Sequence, residues 1–183
     1  MGFPHIIENF TTFGYDIKVG ISMRRLVVML LAAAFLAPKS VDARMNYRRL
    51  LLDLPVSEAP ERPLIIRALG NSRRKKSMRA LLNRLNDLSL PVSERRALVE
   101  ALGDLGYEKA LFSLVAEWAR LLERRFKLRT LPEEEEGLRA SVVLAVGKVA
   151  RSGDQEALGV LRRAVVDDER DVVLAAAVGL GRV

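Results

Sequence analysis

Four times the chain closes an apolar stretch with Ala, a branched aliphatic residue and Gly: Ala68-Leu69-Gly70, Ala101-Leu102-Gly103, Ala145-Val146-Gly147 and Ala177-Val178-Gly179. The glycines stand 33, 44 and 32 residues apart. Self-similarity at such a period marks stacked helical hairpins, each too small to bury its apolar face alone. The phrase predicts that Gly70, Gly103, Gly147 and Gly179 lie at or near the C-termini of first helices, where glycine lets the chain leave the helix.

The stretch before Gly103 supplies the grammar of one hairpin. Leu90-Pro91-Val92-Ser93-Glu94 opens it, with Ser93 as the expected N-cap. Val92 and Ala97 are placed as a hydrophobic staple. Ala97, Leu98, Ala101, Leu102 and Leu105 then share one helical face. Either Gly103 or Gly106 ends the helix. A second helix is expected over residues 107–125, with Ala110, Leu111, Leu114, Val115, Trp118 and Leu122 as its apolar stripe. At that spacing Trp118, the sole Trp, reads as core rather than as a ligand platform.

The same grammar recurs along the chain. Leu54-Pro55-Val56-Ser57-Glu58 repeats the entry phrase letter for letter, ahead of a first helix ending near Gly70. Its partner is expected over 78–88 with Leu81, Leu82 and Leu85 inward. Residues 136–149 and 154–166 form a third hairpin with Gly153 in the turn. Asp167-Asp168-Glu169-Arg170 restarts the pattern for a helix over 172–180, and 47–54 supplies a helix at the other end. The long 44-residue interval contains an insertion, 123–136, expected as a loop on one face. Its run Glu133–Glu136 is expected to favour the N-terminus of the following helix; pairing with the basic residues before it is the alternative.

The charged entries (Ser93-Glu94-Arg95-Arg96, Asp168-Glu169-Arg170-Asp171), the Ala-Leu-Gly exits and Ala157-Leu158 opening a second helix carry a resemblance. Residues 50–183 resemble the HEAT-like repeat family, in the short bacterial form also found in phycobilisome lyases. The resemblance implies an all-α, right-handed α-α superhelix of about three to four helical hairpins. The Trp/Leu-Gly/Tyr pattern of tetratricopeptide repeats and the Thr-Pro-Leu-His of ankyrin repeats are missing.

Chemistry has little to work with. There is no Cys, which removes disulfides, thiolate metal sites, a thiol nucleophile and a lipid-modified cysteine. The lone His5 cannot build a Ser-His-Asp triad or a His-rich metal site. No nucleotide-binding loop, HExxH or nucleophile elbow is present. Four consecutive glutamates point in different directions and do not make a catalytic carboxylate pair. No enzyme, cofactor or metal is expected. The resembling family does include phycobilin lyases and DNA glycosylases that hold a duplex in a basic concave groove.

Residues 26–37 are twelve unbroken apolar residues behind Met23-Arg24-Arg25, and small residues, Val41 and Ala43, follow at the −3 and −1 positions of a cleavage site. These are the parts of a secretory signal peptide, cleaved after Ala43. Twelve apolar residues fall short of the roughly 20 that span a bilayer. Residues 1–22 fit no signal peptide, so translation is expected to begin at Met23, with the mature domain over 44–183 and a periplasmic or secreted destination. The alternative makes 24–37 a helix of the array and the protein cytoplasmic. A secreted protein does not suit the glycosylase reading.

Residues 44–130 hold 19 Lys and Arg against 10 Asp and Glu, whereas 131–183 hold 7 against 10. A basic half suits an anionic partner, or merely a solvated surface. The expected function is a non-catalytic scaffold for an unidentified protein, contacted near Arg73, Arg74, Lys75, Lys76, Arg124, Arg125 and Lys127. Nucleic acid is disfavoured, because no aromatic residue interleaves with Arg73–Lys76 to stack bases; an intracellular nucleic-acid-binding or base-excising protein using the same residues is the alternative. The last first helix has no second helix after it, so Val172, Val173, Ala176 and Leu180 are expected to be bare, a route to self-association.

Overall fold

The computed structural model describes residues 43–58 and 60–183. Except for Ala43, the expected leader and the extension before it lie outside the described residues. Those residues form eight α-helices and no strand: α1 (Ala43–Asp53), α2 (Arg62–Asn71), α3 (Lys75–Leu85), α4 (Val92–Leu105), α5 (Leu111–Leu128), α6 (Glu133–Val149), α7 (Gln155–Ala164) and α8 (Arg170–Leu180). A single 3-10 turn, Glu108–Ala110, leads into α5.

The two copies of Leu-Pro-Val-Ser-Glu fold differently. At the second copy the helix begins at Val92 with Pro91 at the cap position, and Ser93 is an exposed residue of the first turn with no capping bond. The expected Ser93 cap is therefore not formed, and Val92 sits inside the helix rather than before it. At the first copy the pentapeptide is a turn, its buried Ser57 hydroxyl donating to the Leu54 carbonyl at 3.1 Å. Pro60 and Pro63 follow. α2 starts at Arg62, with Pro63, which has no N–H to donate, placed in the first turn where no helical bond is needed.

Other ends behave as the local chemistry dictates. The Asp154 carboxylate accepts from the amides of Glu156 and Ala157 at 3.1 and 3.2 Å and caps α7. Gly153 holds the preceding turn at φ 81°, and Gly106, at φ 66°, ends α4 in place of Gly103. The insertion over 123–136 is not a loop. α5 continues to Leu128 and α6 begins at Glu133, leaving residues 129–132 between them; the added length went into the helices.

The first helices of successive hairpins, α2, α4, α6 and α8, pack one upon the next in a row, with α1 laid on α2. The repeated glycines sit in the last turns of these helices, but their task is closeness rather than exit. A Cβ on Gly70 would stand 2.8 Å from the Cα of Ala101, one on Gly103 3.0 Å from that of Ala145, and one on Gly147 2.4 Å from that of Gly179. Each of the two inner phrases thus supplies a small residue to both of its neighbours. Only the last step slips in register: Gly147 meets Gly179, while Ala177 is exposed.

The second helices lie along one side of this row, and each leans on the first helix of the following hairpin: α3 on α4, α5 on α6, α7 on α8. Between the layers Ile65, Leu69, Leu81, Leu98, Leu102, Leu114, Leu121, Leu138, Val142 and Leu161 are fully buried. Trp118 is part of this core. Leu82 and Leu122, placed on the inward stripes, are partly buried at its margin. The end of the row is also covered better than the sequence suggests. Val172 and Ala176 are buried and Val173 and Leu180 half-buried; α8 exposes Leu174 and Val178 instead.

Candidate functional site

Arg73 to Lys76 occupy the α2–α3 turn and the first residues of α3. Arg73 has a left-handed φ of 52°, and its carbonyl accepts from the Tyr107 hydroxyl at 2.7 Å. The α4–α5 turn is tied onward by Arg151 to Glu108 at 2.8 Å. Three successive turns therefore form one ridge. On it Arg73, Lys75 and Lys76 are exposed and make no ion pair among the described residues.

Arg124, Arg125 and Lys127 lie at the other end of the second helices, on the opposite edge, so the two basic sets are not brought together. Their charges are engaged within the molecule. Arg124 donates two hydrogen bonds to Glu135, at 2.9 and 2.7 Å. Arg125 reaches Asp167 at 3.3 Å and also pairs with Asp168, and Lys127 pairs with Glu123 one turn back at 2.6 Å. Hydrogen bonding from Arg125, with smaller help from the backbone and Asp167, pulls the Asp168 carboxyl down to about 2. The four glutamates do open α6, and Glu135 and Glu136 pair with the preceding basic segment as well.

These pairs belong to a repeating scheme. Glu94, third residue of α4, receives Arg84 of α3 at 2.8 Å and Arg62 of α2 at 3.3 Å. Glu135, third residue of α6, receives Arg124 of α5 in the same way. In both cases an acid in the first turn of a first helix receives an arginine from the C-terminal part of the helix before it.

Deeper still, Arg95 and Glu117, 4% and 3% exposed at their side chains, form a two-pronged pair at 3.0 and 2.7 Å. Arg95 also donates to the carbonyls of Leu85 and Asp87, left without helical partners at the end of α3. Burial would push the Glu117 carboxyl up, but hydrogen bonds from Arg95 and Arg120 outweigh it and hold the group below its ordinary value. Arg139 is fully buried, pairs with Glu136 and Asp167, and stands 5.4 Å over the Trp118 ring. Sequence reasoning missed these groups. The signal was there: Arg95, Glu117 and Arg139 fall at helical spacing on the apolar stripes of α4, α5 and α6.

The outer face of the row, away from the second helices, carries an open groove of about 680 Å³ across α4, α6 and α8. Its floor is apolar, with Ala140 and Leu144 from α6 and Leu174 and Val178 from α8. Its rim holds four acids, Glu100, Asp104, Glu133 and Asp171, against two bases, Arg96 and Lys148. Both bases are occupied, Arg96 with Glu100 at 3.0 Å and Lys148 with Asp104 at 2.7 Å. Glu100 also accepts from Ser141 at 3.3 Å and faces Arg67 at 3.9 Å. Glu133 and Asp171 are exposed and make no ion pair among the described residues. None of the residues singled out from the sequence as contacts lines this groove.

Neither a family model nor a curated protein matches the chain. Among the described residues no helix is long and apolar enough to cross a membrane.

Proposed function

We propose that this protein is a non-catalytic scaffold of HEAT-like type, its helical pairs continuing as a right-handed solenoid that grips another protein along its surface. The observation that carries this reading is the open groove on the row of first helices, with apolar side chains on its floor and a polar rim. Partly exposed leucine and valine between charged flanks is the composition of a protein-contact surface rather than of a reaction centre. The ridge of Arg73, Arg74, Lys75 and Lys76 is a second contact on the same partner. Arg124, Arg125 and Lys127 serve less well, because a partner must first displace Glu135, Asp167 and Glu123.

The same groove argues against an intracellular base-excising enzyme. A duplex brings a dense row of phosphates, and a rim with more acids than bases repels it. Export, read from the basic, apolar and small-residue order of residues 23–43, fits the scaffold reading. N-terminal sequencing of the protein from fractionated cells is expected to begin at Arg44 in the exported fraction. A salt titration with duplex DNA, beside a partner pull-down in which residues 73–76 are replaced by Ser, tests the binding class. Weak DNA binding and a diminished pull-down are expected. Tight DNA binding that falls steeply with salt overturns the scaffold reading.

A further inference from the structure

The groove is more particular than a generic contact surface, because its charges are arranged in order. Glu133 is the first residue of α6 and Asp171 the second of α8, so both unpaired carboxylates stand where these two neighbouring helices begin. Leu144 and Val178 lie toward the other ends of the same helices, eleven residues from Glu133 and seven from Asp171. At the rise of an α-helix Leu144 is about 16 Å along from Glu133. Beyond them the Lys148–Asp104 pair closes the far end at 2.7 Å. The groove therefore reads, end to end, as an acidic mouth flanked by the Arg96–Glu100 pair, which lies against Gly137, then an apolar floor and a neutralised stop. The only charges lining it that lack an ion-pair partner among the described residues are negative.

Resting on the scaffold reading, we infer that the groove takes a cationic amphipathic segment of the partner protein, with Lys or Arg at one end and an apolar face beyond. The cations meet Glu133 and Asp171, and the apolar side chains cover Leu144, Leu174 and Val178, of which the last two are 52% and 50% exposed. An acidic segment is rejected, since it brings like charges against carboxylates that have no counter-ion of their own. An apolar segment without cations leaves the mouth empty and binds less tightly than the cationic one.

The test uses the full chain and two fluorescein-labelled peptides of about fourteen residues, long enough to lie along the groove as a helix. One has a Lys-rich end followed by Leu at helical spacing, and the other has Glu in place of every Lys. Fluorescence anisotropy is expected to detect the Lys peptide and not the Glu peptide. Glu133→Lys with Asp171→Lys is expected to weaken the Lys peptide by about tenfold or more and to let the Glu peptide bind. Glu156→Lys, an exposed acid on α7 away from the groove, is expected to change neither. Leu174→Gln with Val178→Gln, both already half exposed, is expected to weaken the Lys peptide with helicity unchanged. Equal binding of both peptides, or equal weakening by Glu156→Lys, overturns the inference.

A photocrosslinker at Leu174 in the producing cells separates this failure from that of the scaffold reading. Capture of a Lys- or Arg-bearing apolar segment of another protein supports the inference. Capture of an acidic or uncharged segment overturns the inference and leaves the scaffold standing. Capture of residues 23–37 of the chain itself, which follow the same cation-then-apolar order, assigns the groove to an internal occupant and overturns it. No captured protein at all overturns both.

Discussion

Glycine is the residue on which this molecule turns, and two of its glycines predict opposite outcomes for one substitution. A Cβ on Gly147 would stand 2.4 Å from the Gly179 backbone, where neither helix can yield without the row moving. Gly147→Ala gains helix propensity but overpacks the contact, and is expected to cost about 2 kcal/mol net. Gly159, exposed within α7, has no atom within 4 Å of the corresponding position. Gly159→Ala is expected to stabilise by about 0.5–1 kcal/mol, since Ala is the better helix former and nothing opposes it. Urea unfolding of the two variants checks both signs. The repeated phrase was legible in the sequence as a period, yet its purpose was not. A glycine near a helix end looks the same whether it frees the backbone or admits a neighbour, and only the partner helix distinguishes them.

At the scale of elements, buried charge fastens the helices alongside apolar packing. Glu117 joins α5 to α4 through Arg95, and removing one partner of a buried pair leaves the other uncompensated. Glu117→Gln is expected to destabilise by about 3 kcal/mol near neutral pH. The carboxyl is held below its ordinary value of 4.5 in the folded state. Its stabilising contribution is therefore complete above that value and is lost as pH falls through the lower, folded value. The stability gap between wild type and Glu117→Gln should accordingly narrow below about pH 4, which thermal melts across an acid series would register. Helix positions were well legible, because apolar periodicity over ten or more residues is a strong signal. Boundaries were less so. Leu-Pro-Val-Ser-Glu reads identically at 54–58 and 90–94, and what decides between turn and helix is the pair of prolines after the first copy. Arg95 and Arg139 do not stand out in the sequence, because composition counts charges without their partners.

For the whole molecule, the row of first helices was foreshadowed by the glycine phrase, whereas the groove on its outer face was not. Leu144, Leu174 and Val178 look like ordinary core positions of their helices, and nothing in a single sequence says that two of the three remain half in water. The basic clusters, by contrast, were conspicuous in the sequence and proved to sit on opposite edges, one of them already neutralised. The leaning of second helices onto the next hairpin has a further consequence. The sequence is punctuated as α2–α3, α4–α5 and α6–α7, but α3 packs mainly on α4 and α5 on α6, offset by half a repeat, while α7 leans on α6 and α8 alike. Cooperative opening should follow the packing. In native-state hydrogen exchange the amides of α5 should share an opening free energy with α6, and Glu117→Gln, which cuts the buried tie to α4, should leave that sharing intact. The protein is thus written in one phase and held together in another.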